Sequence, residues 1–287
     1  MDTRYWKDRL SLCFDRHMRL TRAYSGAINN RSESDNGRYV PFVEKATRDS
    51  KTFASFRRNP IYREILEHVD ESTGNAYLKI ILERRTIKID DIRECQANDT
   101  IGDPFVYRYA DIGLISPTTL RYIKVASDLR ELFGSEIGPQ IAEIGVGYGG
   151  QCRVLDGLSQ LRHYHLFDLP PVLELASKYL ESFLMRGSYL KQTLNQFTGT
   201  PSFDLVISNY AFSELPVPLQ EAYIEKVIKR SKKGYLTMNS GRSHLMSSND
   251  RISKLTLERL VELLPRFEIL EEEPLTGANN YIIVWGR

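Results

Sequence analysis

The tightest constraint on how this chain folds is eight residues long. Glu143-Ile144-Gly145-Val146-Gly147-Tyr148-Gly149-Gly150 closes an apolar run from Ile141 to Ile144 and opens a helical pattern that continues to Leu158. A strand feeding a glycine-rich turn and then a helix brings a ligand close to backbone N–H groups. Glycine allows the unusual backbone angles and leaves no side chain in the way. The letters admit two spacings. Gly145, Gly147 and Gly150 satisfy Gly-x-Gly-x-x-Gly, the dinucleotide fingerprint. Gly145, Gly147 and Gly149, two residues behind Glu143, satisfy acidic-x-Gly-x-Gly-x-Gly equally well.

The company of the turn narrows the choice. Beyond residue 135 strand and helix signals alternate, which implies a parallel sheet covered on both faces. Strands are expected at 141–144, 163–167, 189–194, 203–208 and 234–238, with helices at 150–158, 170–184, 219–228 and 252–264. The ending differs. Phe267 to Glu272 and Tyr281 to Trp285 read as strands joined by a short loop, and a short connection permits only antiparallel pairing. The expected fold is therefore α/β: a mostly parallel, Rossmann-like sheet of seven strands with an antiparallel C-terminal hairpin, the class I methyltransferase architecture.

Three features favour the cofactor S-adenosylmethionine (SAM) over a dinucleotide. Glu143 stands where a carboxylate would hold the methionine ammonium, whereas a pyrophosphate gains nothing from one. The turn lies mid-chain, ahead of the terminal hairpin. Ser208-Asn209-Tyr210-Ala211-Phe212 follows the fourth strand, at the mouth where ligands bind. Gly145, Gly147, Gly149, Asn209 and Tyr210 are thus candidate cofactor residues. Asp168 and Leu169 join them, because a carboxylate closing the second strand accepts ribose hydroxyls. NAD carries the same ribose, and Asp168 also reads as a cap for the following helix.

Residues 1–134 are expected to form a mainly helical cap, and residues 135–287 the catalytic domain. Trp6, Leu10, Phe14 and Met18 recur at helical spacing, as do Ile61, Ile65, Leu66 and Val69. Between them, Asn29 to Gly37 is turn-rich. Ser116-Pro117 looks like a helix start, with the helix running to Gly134. The first 60 residues hold 13 Lys or Arg against 7 Asp or Glu, although the whole chain carries only +2. That local excess reads first as a solvated helical face and second as a surface for an anionic substrate. No nucleic-acid partner is expected from so small a net charge. Cys13, Cys95 and Cys152 are too few for a disulfide framework or a zinc site. No signal-peptide core or membrane span is apparent, so the cytoplasm is the expected compartment.

Several segments resemble a bacterial family of sugar O-methyltransferases. They are Glu143 to Gln151, Ser208-Asn209-Tyr210-Ala211-Phe212-Ser213-Glu214-Leu215, Ser116 to Lys124, Asp168-Leu169-Pro170 and Asn280 to Trp285. The likeness covers roughly residues 98–287 and fades over the first 70. It implies SAM as cofactor, a sugar hydroxyl as acceptor and a place in polysaccharide biosynthesis. Val146 departs from the small glycine found in many relatives, at a position needing no special backbone angle.

Methyl transfer is an in-line displacement in which the acceptor oxygen is held about 3 Å from the methyl group. A sugar hydroxyl is a poor nucleophile, so a general base should help. Glu214, after the fourth strand, and His244, after the fifth, are the candidates. Each also has a plain reading, Glu214 as a helix cap and His244 as a loop residue. Tyr107, Arg121 and Tyr122 are candidate acceptor contacts, since aromatic faces and an Arg fork suit a sugar bearing an anionic group. They serve equally well as packing residues. Without a paired-carboxylate run at the mouth, no metal is expected. His17, His68, His163 and His165 read as structural. A nicotinamide-dependent oxidoreductase and a methyltransferase acting on a non-sugar small molecule remain the alternatives.

Overall fold

The chain alternates helices and strands around one seven-stranded sheet. A computed structural model describes residues 37–241 and 253–287. The helix expected around Trp6 to Met18, most of the 29–37 turn, Ile252 and His244 lie outside the described residues.

The two central strands, β3 (Gln140–Ile144) and β6 (Phe203–Asn209), are buried almost throughout, as strands covered on both faces must be. Beside them lie β4 (His163–Phe167), β5 (Ser188–Gln192), β7 (Ser231–Met238), β8 (Glu268–Glu271) and β9 (Tyr281–Trp285). The order across the sheet is β5-β4-β3-β6-β7-β9-β8. All pairings from β5 to β7 are parallel, while β9 runs antiparallel to both β7 and β8. The loop from 272 to 280 is too short for a crossover, so β9 must reverse. This is the class I methyltransferase arrangement expected from the sequence. An all-parallel dinucleotide sheet would extend past its fifth strand without the reversal.

A small antiparallel hairpin, β1 (Tyr107–Tyr109) with β2 (Gly113–Ile115), precedes the sheet. Helices α1 (Tyr39–Arg48), α2 (Ser50–Ala54), α3 (Pro60–Ile65), α4 (Glu71–Arg84) and α5 (Ile89–Glu94) come before residue 100. The helix expected from Ile61 to Val69 is shorter than its apolar spacing suggests. It ends at Ile65, and Asp70 starts α4 by accepting a hydrogen bond from Thr73 N at 2.8 Å. Leu66 and Val69 pack on the core from the link.

Helix α6 (Pro117–Phe133) begins as its sequence predicts. Ser116 Oγ accepts from Thr119 N, Pro117 occupies the first turn and Gly134 ends the helix. The remaining helices are α7 (Gly150–Leu158), α8 (Pro170–Leu180), α9 (Val217–Lys226) and α10 (Leu257–Leu263). The helices before residue 135 and one face of the sheet share a single hydrophobic cluster, from Tyr39 to Val284. Within the described residues no helix is long and apolar enough to cross a membrane.

Arg57 ties the helical region to the glycine turn. Fully buried, it donates from Nε to Glu67 at 2.6 Å, from Nη1 to Asn98 O and Asp99, and from Nη2 to Ser116 Oγ. Its guanidinium also lies 4.6 Å from the centre of the Tyr148 ring. Asp99 in turn accepts from Ser116 N and Thr119 Oγ1, fixing the start of α6. A charge so deep in the core is tolerable because each side of the guanidinium meets a partner.

Candidate functional site

The glycine turn sits at the C-terminal end of β3, where the sheet order reverses direction between β4 and β6. Gly145, Gly147 and Gly149 have φ of 79°, 54° and 88°. These are left-handed conformations that a side chain resists. Val146 has no such angle, which agrees with the tolerance expected there. Gly150 does not either; it is the first residue of α7 and is small because Tyr122 and Tyr148 press on it. The left-handed positions thus follow the acidic-x-Gly-x-Gly-x-Gly spacing. Tyr148 anchors the turn from below, fully buried and edge-on to Tyr179 at 4.8 Å.

A Cβ on Gly145 would stand 2.0 Å from Ala211 Cβ, so the segment after β6 crosses directly over the turn. That crossing brings Asn209 and Tyr210 to the site. Asn209 donates from Nδ2 to Gln151 Oε1 at 3.2 Å, but its Oδ1 is buried without a partner. An orphaned acceptor of this kind calls for an explanation, and a ligand donor is the natural one.

Glu143 is buried on β3, where its Oε2 accepts from the Tyr164 hydroxyl at 2.8 Å. Burial pushes its carboxyl up to about 8, partly offset by that hydrogen bond and reinforced by nearby Asp168. Asp168 closes β4. Its Oδ2 accepts from Val146 N at 2.8 Å and its Oδ1 from Leu169 N at 2.7 Å. Desolvation raises it to about 6 against those backbone donors. The helix-cap reading of Asp168 does not hold. Leu169 is the N-cap of α8, and Asp168 braces the glycine turn instead.

Tyr210 has φ of 67°, uncommon for a bulky residue. Its amide donates to Thr237 O at 2.9 Å and its hydroxyl to Glu272. Glu272, a residue not anticipated from the sequence, is buried and also accepts from Thr276 N, Thr276 Oγ1 and Asn280 Nδ2. Glu214 is half-buried and accepts from Asn239 Nδ2 at 2.9 Å. Ser213 donates to Asn239 Oδ1, so the ends of β6 and β7 are laced together beside it.

The expected acceptor contacts separate. Tyr122 is buried with its ring against Tyr148, and its carbonyl accepts from Gln151. Its contacts are packing contacts beneath the turn. Tyr107 lies in the β1–β2 hairpin, and no hydrogen bond or ring contact among the described residues joins it to the turn. Arg121 is different. Its guanidinium donates to Leu66 O, and its charge is felt by Tyr77, Tyr210, Glu67 and His68. His68, read from the sequence as structural, is held near 4 by burial and by Arg121, and so is neutral at physiological pH.

No family model matches the chain, and no curated protein matches it in sequence. Solved structures resemble it over part of its length. The methyltransferase domain of a bacterial CtHen1 is 14% identical, with 57% of this chain and 96% of that one aligned at a TM-score of 0.42. Magnesium protoporphyrin IX methyltransferase from Synechocystis, solved with bound S-adenosylhomocysteine (SAH), is 14% identical over 57% of this chain and 85% of its own, TM-score 0.42. The mitomycin 7-O-methyltransferase MmcR is 17% identical over 58% and 56%, TM-score 0.40. At likenesses this distant, the strand order and the conformation of the turn carry the fold assignment.

Proposed function

We propose that this chain is a SAM-dependent O-methyltransferase acting on a sugar hydroxyl, with residues 135–287 as catalytic domain and residues 1–134 as acceptor-side cap. One observation carries the methyltransferase reading. Left-handed glycines occupy the acidic-x-Gly-x-Gly-x-Gly positions at the reversal point of a sheet whose β9 is antiparallel. A nicotinamide cofactor is disfavoured by the same strand.

The residues fit the cofactor. Asn209 Oδ1 is an unused acceptor, and together with Glu143 it suits an ammonium group. Asp168 Oδ1 takes one hydrogen bond, from Leu169 N, and keeps a lone pair for a ribose hydroxyl. The glycine N–H groups are given to Phe167 O, Asp168 Oδ2 and Val146 O, so what the glycines contribute is side-chain-free room for the cofactor against the turn. SAM, when bound, supplies a methyl group on a positively charged sulfur. The chain's own task is to position the acceptor, exclude water and receive a proton. Glu214, steadied by Asn239, is the base we assign for that proton.

The sugar acceptor rests on the resemblance of Ser208 to Leu215 and the segments around it, and a non-sugar small molecule is its rival. Incubation with labelled SAM and candidate glycans or nucleotide sugars, followed by mass spectrometry, separates them. Methylated sugar is the expected product, and methylation confined to non-sugar acceptors overturns that half.

A further inference from the structure

Arg121 is 7% exposed, yet among the described residues it forms no ion pair. Nη2 donates to Leu66 O at 3.2 Å, and Nε is buried with no partner at all. Tyr122 lies alongside, its ring centre 5.6 Å from the guanidinium. Its other polar neighbours are the hydroxyls of Tyr77 and Tyr210, the carboxylate of Glu67 and the neutral His68. A buried cation left without a direct counter-charge is unfavourable unless something else supplies the anion. Nothing that faces it does so directly. Glu272 is already committed to Tyr210, Thr276 and Asn280, and Glu67 to Arg57.

Tyr210 supplies the second half of the site. Its hydrogen is given to Glu272, and its oxygen also lies 3.3 Å from Thr276 Oγ1 and within hydrogen-bonding reach of Tyr77, so the hydroxyl is held in one place. Glu272 is a positioning residue here, since four donors fix its carboxylate. The site therefore offers one underused charged donor that interacts with a fixed tyrosine hydroxyl, and Leu66, whose carbonyl Arg121 holds, touches Gly147 of the turn.

We infer that Arg121, Tyr77 and Tyr210 form the acceptor subsite, and that the acceptor is a hydroxylated small molecule carrying an anionic group. The anion, a carboxylate or a phosphate monoester, takes the free N–H groups of Arg121. The hydroxyl to be methylated gives its proton to Glu214, the base already assigned, while a second hydroxyl of the acceptor reaches the Tyr77 and Tyr210 side. This inference rests on the methyltransferase reading and sharpens it by naming the chemistry of the substrate.

The test uses the full chain saturated with SAH and titrated calorimetrically with D-glucuronate, D-glucose 6-phosphate and D-glucose. At least one anionic sugar should bind about 30-fold or more tightly than glucose, the scale of a charge-assisted hydrogen bond. Whether glucuronate or the phosphate binds better identifies the anion. Arg121→Met should erase the preference while SAH affinity stays within about threefold of the parent chain. Should that variant fail to fold, Arg121→Lys should keep the preference in weakened form. Equal or absent binding of all three sugars overturns the inference. So does a tenfold or greater loss of SAH affinity in an Arg121 variant, which would assign the guanidinium to the cofactor. Failure of the parent chain to bind SAH would instead sink the methyltransferase reading beneath it.

Discussion

Two buried arginines, Arg57 and Arg121, both hydrogen-bond to the short stretch Leu66-Glu67 and do opposite things. Arg57 is saturated: Glu67, Asp99, Asn98 O and Ser116 take its hydrogens, and the Tyr148 ring covers its face. Arg121 has a single backbone carbonyl and an orphaned Nε. A saturated buried charge holds the fold together, because losing either member strands the other. An unsaturated one is costly to the apo protein and repays that cost only when a ligand arrives. The difference separates architecture from recognition within one region, where both residues would otherwise read simply as buried arginine.

The largest expected effect breaks the architectural side. Arg57→Met strands Glu67 and Asp99 in the core and should cost about 3–5 kcal/mol of stability by denaturant unfolding. Arg121→Met removes a charge that has no ion pair, so its stability should change by under about 1 kcal/mol or improve. If the two variants lose equal stability, the contrast between the arginines is mistaken.

Next in size is the turn that Arg57 borders through the Tyr148 ring. Gly145→Ala forces a Cβ into Ala211 at a left-handed position and should weaken SAH binding at least about 100-fold by calorimetry. An alanine variant binding like the parent would remove the turn from the cofactor site.

A smaller effect is read in pH. Glu143, raised to about 8 by burial, is protonated in the free protein at neutral pH. An ammonium-bearing ligand favours the ionised form, so binding releases a proton and affinity rises with pH. The slope should approach about tenfold per pH unit up to about pH 8 and flatten beyond it. Glu143→Gln should abolish the slope. An unchanged slope in that variant would free Glu143 of the role.

Much of this was legible in the sequence because it is local. The left-handed glycines, the Ser116-Pro117 helix start and the reversed β9 each follow from neighbouring residues and loop length. What stayed hidden is long-range. Helix α4 carries its buried residues, Gly74, Tyr77, Leu78 and Ile81, among polar ones, and its start depends on the Asp70 cap. Glu272 reaches Tyr210 across 62 positions, and Arg57 reaches Ser116 across 59. No periodicity reports such pairs. Tyr122 was separable from Arg121 only once the fold had turned its ring under Tyr148 and left the guanidinium beside Tyr210.

The most direct test of the whole account is a pair of calorimetric titrations of the full chain, one with SAH and one with NAD. The glycine turn, Asp168 and the orphaned Asn209 Oδ1 predict saturable one-to-one binding of SAH and none of NAD. Binding of NAD alone would contradict it.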